Sequence, residues 1–133
     1  MKKQDNLVES QKEKVESISD SEWLVAKILW ERSPQTSAEI IDELKQSTVW
    51  SPKTIHTLIR RLAQKKIIAA VEGVTPYRYY PLLSEAECER EKTRSFVERI
   101  YNGSFNSMVS RFVEEKMLSK AEIEELKDIL NGK

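Results

Sequence analysis

The sequence predicts a mostly α-helical protein in which three short helices and a two-stranded hairpin precede a second, wholly helical segment. Three observations lead there. The 133 residues include three Gly and four Pro, with 39% hydrophobic and 33% charged residues, a composition that favours helices with short connections over a loop-rich β fold. Four S/T-x-x-E patterns, Ser19 with Glu22, Thr36 with Glu39, Ser84 with Glu87 and Ser119 with Glu122, each stand where an apolar-periodic stretch begins. In such a capping box, hydroxyl and carboxylate reciprocally satisfy free backbone N–H groups. Finally, two β-prone runs, residues 67–72 and 77–82, flank a turn containing Gly73 and Pro76, the pattern of a hairpin.

Residues 1–17 are polar and charged, with too little apolar surface to offset the entropy of ordering, so a loose extension is expected there. The first helix is placed at residues 20–31, with Trp23, Ala26, Leu29 and Trp30 available to a core and Ser33-Pro34 ending it. Ile18 and Trp23 occupy the two positions of a hydrophobic staple at its start. A second helix, residues 37–45, carries Ile40, Ile41 and Leu44 on one side. Ser51 at the cap and Pro52 at the first helical position start the third. In it Ile55, Leu58, Ile59 and Leu62 recur at i, i+3, i+4 and i+7 and define a single buried stripe. The opposite face, at about 100° per residue, is Lys53, Thr57, Arg60 and Gln64, flanked by Thr54, His56 and Arg61. Pro81 marks its strand as an edge strand. Helices follow at residues 84–101, 104–117 and 119–130. Phe105, Met108, Val109, Phe112 and Val113 line one side of the middle helix, and Ile123, Leu126, Ile129 and Leu130 one side of the last. Together with Phe96 and Ile100 these apolar residues have no evident partner in their own chain, which suits interdigitation with a second copy. The expected division is thus 1–17, 18–83 and 84–133: extension, winged helix-turn-helix and helical dimerisation domain.

Charge distribution points to a partner. Lys+Arg and Asp+Glu both number 22, which for a whole chain argues against nucleic acid. No acidic residue falls between Glu43 and Glu72, however, while Lys45, Lys53, Arg60, Arg61, Lys65 and Lys66 do. Residues 84–133 hold nine basic and eleven acidic residues, so attraction for phosphate is confined to the first half. Helices, basic third helix and hairpin form the order of a winged helix-turn-helix, in which the third helix enters the major groove of double-stranded DNA. There Lys53, Arg60 and Arg61 can neutralise phosphate or pair with guanine, Gln64 can read adenine, and the methyl of Thr57 can meet thymine.

Other chemistries find little support. The single cysteine, Cys88, cannot form an internal disulfide or a structural zinc site, which suits a reducing cytoplasm. Glu87 and Glu89 beside it raise its pKa, so a free, unactivated surface thiol is expected. His56 stands alone without ligand spacing to Cys or carboxylate. No phosphate-binding, zinc-protease or nucleophile-elbow motif occurs, so neither catalysis, metal nor cofactor is expected. The apolar stretch 24–30 is broken by Lys27 and too short to cross a bilayer, and no signal-peptide pattern precedes it, so membrane insertion is not expected. The tryptophans read as core rather than as a stacking platform for single strands.

Residues 18–30 (ISDSEWLVAKILW), 51–66 (SPKTIHTLIRRLAQKK) and 123–130 (IEELKDIL) resemble the penicillinase and methicillin-resistance repressor family. The resemblance spans roughly residues 18–131. It implies a homodimer that binds inverted-repeat operators and represses β-lactam resistance genes. It also implies release by cleavage within the C-terminal helices, linked to a membrane sensor protease. Lys53, Thr54 and Thr57 match the recognition-helix pattern, whereas His56 stands where relatives usually have Arg and Arg60 where they often have Thr. The family's cleaved bond is usually Asn-Phe; the corresponding segment, residues 105–112, offers Arg111-Phe112. A copper-responsive branch shares the architecture but ends in paired Cys-x-Cys motifs, which are absent after Cys88. The alternatives are therefore a repressor of a metal-homeostasis (copper) operon, or an adaptor that binds an acidic protein through the basic helix.

Overall fold

The computed structural model describes residues 7–132, as helices α1 (Glu9–Glu16), α2 (Asp20–Glu31), α3 (Ser37–Leu44), α4 (Pro52–Gln64), α5 (Glu85–Tyr101), α6 (Phe105–Glu114) and α7 (Lys120–Leu130) and strands β1 (Gln35–Thr36), β2 (Ile68–Ala70) and β3 (Arg78–Pro81). The chain divides into two compact units, residues 1–92 and 93–133.

In the first unit α2, α3 and α4 with the sheet form a winged helix-turn-helix. All four capping boxes close, with hydrogen bonds between 2.8 and 3.1 Å at Ser19/Glu22, Thr36/Glu39, Ser84/Glu87 and Ser119/Glu122. One apolar cluster joins Val25, Ala26, Ile28 and Leu29 of α2, Ile40 and Leu44 of α3, and Ile55, Leu58, Ile59 and Leu62 of α4, with Ile67 and Ile68 closing it. Trp23, Trp30 and Trp50 pack half-buried against it, as their core assignment requires. The rings of Trp23 and Trp30 meet edge-on at 5.0 Å, and the Trp30 indole N–H donates to the Leu83 carbonyl at 2.9 Å. Burial of that indole is thus compatible with its polar handle.

Four expectations are corrected. The expected hairpin is present as β2 and β3, but β1 pairs with its other side, so the sheet has three strands in the order β1-β3-β2, both pairings antiparallel. A two-residue strand is too short for any alternation to register, and Thr36 doubles as the cap of α3. Consequently β3 is the central strand rather than an edge, and Pro81 is accommodated because it is the last residue of β3, opposite Ile68 and beyond the reach of β1. A proline without an N–H is tolerated at such a position.

The expected loose extension is helical over α1, and its Leu7 and Val15 belong to the core; residues 1–6 of that expectation lie outside the described residues. Leu7, Val8 and Val15 are too few to show a period. What anchors the segment is long-range: Lys65 Nζ donates to the Ser17 carbonyl at 2.7 Å, and Lys92 Nζ to the carbonyls of Glu16 at 3.0 Å and Ile18 at 2.9 Å. Cations on terminal carbonyls satisfy acceptors that the helix itself leaves free.

The boundary after residue 83 moves to residue 92, inside α5. Leu83 and Cys88 are buried in the core of the first unit, and Lys27 of α2 pairs with Glu85 at 2.9 Å. Cys88 is therefore not a surface thiol. It is fully buried, and burial, followed by the field of Glu87, pushes its pKa up to about 12.

The second unit comprises the end of α5, α6 and α7. A turn through Asn102 and Gly103, both at positive φ, separates α5 from α6. Lys116, at φ 58°, ends α6, and Met117 N–H returns to the Phe112 carbonyl at 2.9 Å. Among the described residues no helix is long and apolar enough to cross a membrane.

Candidate nucleic-acid interface

Helix α4 is built to present one face. Ser51 caps it, accepting from Thr54 N–H at 3.2 Å, and Pro52 takes the first helical position, where the missing N–H costs nothing. Ile55, Leu58, Ile59 and Leu62 are between 0 and 5% exposed, so the rotation of the helix is fixed by the core. Lys53, Thr54, His56, Arg60, Arg61 and Gln64 are consequently exposed, with Thr57 half-buried among them. All seven residues expected to touch DNA lie on this one helix.

The hydroxyls there are partly committed. Ser51 Oγ donates to Thr54 Oγ1 at 3.1 Å, and Thr57 Oγ1 donates to the Lys53 carbonyl at 3.1 Å. The methyl of Thr57 is left as its contact group, suited to an apolar edge such as a thymine methyl. One cation of the basic segment is withdrawn from the face. Lys65 pairs with Glu22, which is 2% exposed and also accepts from Ser19 N–H, so Lys65 joins the end of α4 to the start of α2 instead of meeting phosphate.

Outside α4, the wing and the turn before α4 expose residues that the sequence did not single out. Arg78, Tyr77 and Tyr80 are exposed on the wing, where Tyr77 and Tyr79 meet edge-on at 6.3 Å. The alternation of exposed and half-buried residues along β3 becomes visible only in the folded sheet. Val49, in the turn between α3 and α4, is fully exposed; no pattern in the chain marks it.

The residues expected at a dimer contact fall in the second unit. Phe96, Ile100, Phe105, Ile129 and Leu130 are exposed, and Met108, Val109, Phe112, Ile123 and Leu126 half-buried. Neither α6 nor α7 has a buried residue. Arg111 and Phe112 lie within α6, where Arg111 reaches Glu115 at 3.6 Å with 61% of its side chain exposed.

Known proteins with the same features can now be compared. The sequence model of the family described as penicillinase repressor matches residues 18–132. The methicillin resistance regulatory protein MecI of Staphylococcus aureus (strain N315) is 41% identical over 120 residues, covering 90% of this chain and 98% of the relative. The penicillinase repressor of Bacillus licheniformis is 40% identical over 117 residues, covering 88% and 91%. Among solved structures, the solution structure of the DNA binding domain of the repressor BlaI superposes with a TM-score of 0.50 at 34% identity, covering 55% of this chain and 89% of that one. With a match across nearly the whole chain and a winged helix in place, the chain belongs to the penicillinase repressor family, whose members are DNA-binding transcriptional repressors and not enzymes.

Proposed function

We propose that this chain represses β-lactam-resistance genes by binding an inverted-repeat operator as a homodimer, with α4 of each protomer in the major groove. The observation that carries the reading is α4 itself: one face wholly buried, the other carrying Lys53, Thr57, Arg60 and Gln64 without an acidic residue. Such a face offers both phosphate neutralisation and base-edge donors. The relatives named for penicillinase and methicillin-resistance control supply the class of target gene.

Dimerisation is supported by the exposed apolar side chains of α6 and α7, Phe105, Val113, Ile129 and Leu130 among them, and by the absence of any buried residue in either helix. Joining two winged helices raises the local concentration at the second half-site into the millimolar range, so loss of the dimer releases the operator without altering a DNA contact. A cut at Arg111-Phe112 by a sensor protease acts by this route. Helix α6 has ten residues and none buried, so the local unwinding that a protease needs costs little.

The test is equilibrium binding to the duplex that the chain enriches from a random pool. Arg60→Ala should cost about 1–3 kcal/mol and relax preference at one position if Arg60 reads a base. Unchanged affinity and unchanged salt slope would mean that α4 does not face DNA as described.

A further inference from the structure

Helix α1 lies outside the region that the family model matches, which begins at residue 18, yet it is packed into the core through Val15, and through Leu7 just before it. Its position is informative. Ser10, Gln11 and Lys14 of α1 and Gln64, Lys65 and Lys66 at the end of α4 line one groove of about 210 Å³. At about 100° per residue, Gln64 stands on the same face of α4 as Lys53, Thr57 and Arg60. The groove therefore continues the face described above at its C-terminal end.

Charge within the groove is one-sided. Ser10, Gln11 and Lys14 share a side of α1; Glu9 and Glu16 fall opposite Lys14, about 200–220° away, and Glu13, about 100° from Lys14, does not line the groove. Lys14 and Lys66 are exposed and have no ion pair among the described residues, while Lys65 is held by Glu22 and the Ser17 carbonyl. Lys66 is fixed in place by the helix end. It takes φ 63°, and the following Ile67 N–H returns to the Leu62 carbonyl at 3.0 Å, a closure that aims residue 66 away from the core.

The length of α4 decides what such a groove meets. Thirteen residues at 1.5 Å each span about 20 Å, against a major groove about 12 Å wide. A recognition helix reads bases with its N-terminal residues, so its C-terminal end reaches the sugar-phosphate backbone. We propose that α1 enlarges the DNA-binding surface, Lys14 and Lys66 contacting backbone phosphates of the duplex that flanks each half-site. The inference rests on the reading of α4 as the DNA face, and adds a contact made by an element beyond the matched region.

The experiment uses the full chain and the duplex it enriches from a random pool, in two lengths. One carries an extra helical turn, about 10 base pairs, outside each half-site; the other stops at the half-site edges. On the long duplex, Lys14→Gln and Lys66→Gln should each make the slope of log affinity against log salt shallower by about 0.9 for every protomer bound. On the short duplex both should match the wild type, and Lys14→Arg should restore the slope on the long one. Unchanged slopes for both Gln variants on the long duplex, with Arg60→Ala weakening binding, overturn this inference alone. Equal losses on both duplexes also overturn it, since the contact then lies inside the half-site. If Arg60→Ala binds like wild type, or no duplex is enriched, the DNA face on α4 falls and this inference with it.

Discussion

Helices α2 and α3 begin as α7 does, with a hydroxyl cap, a carboxylate three residues on and then an apolar stripe. Their fates differ. Val25, Ala26, Ile28, Leu29, Ile40 and Leu44 are all under 9% exposed, whereas Ile129 and Leu130 of α7 are 70% and 78% exposed. Of the buried hydrophobic residues among those described, only Val97 lies beyond residue 92. Periodicity and caps specify that a helix forms and which face is apolar; they do not specify what that face meets. The winged helix finds its complement within the chain, whereas α6 and α7 form without burying a residue.

The largest expected effect sharpens that contrast. Ile55→Ala, in the fully buried stripe of α4, should destabilise the chain by about 2–5 kcal/mol whatever the protein concentration. Ile129→Ala should change the stability of the dilute protein by less than about 0.5 kcal/mol and weaken self-association. Urea melts at two concentrations with sedimentation equilibrium read both. A concentration-independent loss at Ile129 as large as that at Ile55 would place α7 in a core of its own chain.

Next is the junction that holds α4 to α2. Lys65→Ala leaves the Glu22 carboxylate, 2% exposed, without its cation, and breaking such a pair should cost about 3 kcal/mol, toward the low end for buried pairs because Lys65 is partly solvated. Glu22→Gln with Lys65→Ala should recover part of the loss, a double-mutant cycle giving the coupling. Full additivity would show that the pair contributes nothing as a pair.

The winged helix was legible in the sequence because its signals are local. The capping boxes of α2 and α3, the Ser51-Pro52 start and the i, i+3, i+4, i+7 stripe of α4 each sit within one or two turns, and α2 begins and ends where such signals placed it. What escaped depends on residues far apart. Lys92 reaches carbonyls 74 and 76 residues away, Lys65 reaches Glu22 across 43, and β1 exists only because β3 comes to pair with Gln35 and Thr36. Gln35 itself, 1% exposed, donates to the carbonyls of Ile28 at 3.2 Å and Arg32 at 2.6 Å and so closes the end of α2; a lone Gln after a proline carries no such message. Lys65 shows the same limit at the candidate site, where a charge count cannot tell a phosphate ligand from a brace.

A smaller effect separates stability from binding at Lys66. Its left-handed backbone, φ 63°, is one that glycine adopts without strain, so Lys66→Gly should stabilise the fold by about 1 kcal/mol. The same variant lacks a cation at the groove with α1, and operator affinity should fall as the melting temperature rises. Parallel changes in both would detach Lys66 from DNA.

The smallest effect concerns acid. Hydrogen bonding from the Thr36 backbone N–H holds the Glu39 carboxyl below its ordinary value of 4.5, despite an opposing contribution from burial. A lowered folded-state pKa adds stability that is complete above the unfolded value and is lost as pH falls through the folded one. Glu39→Gln should therefore flatten the stability profile from pH 4.5 downward and leave it parallel at neutral pH. An equally steep acid limb in the variant would assign the titration to another carboxylate.

Cys88 has a practical consequence. With its pKa near 12, only about one thiol in 10⁵ is ionised at pH 7, and the thiolate is the species that alkylating agents and oxidants attack. The chain's single sulfhydryl is thus chemically silent while the first unit stays folded. A fluorophore can be attached to a cysteine introduced on α7 without removing the native one, and reaction at Cys88 itself becomes a clock for opening of that core.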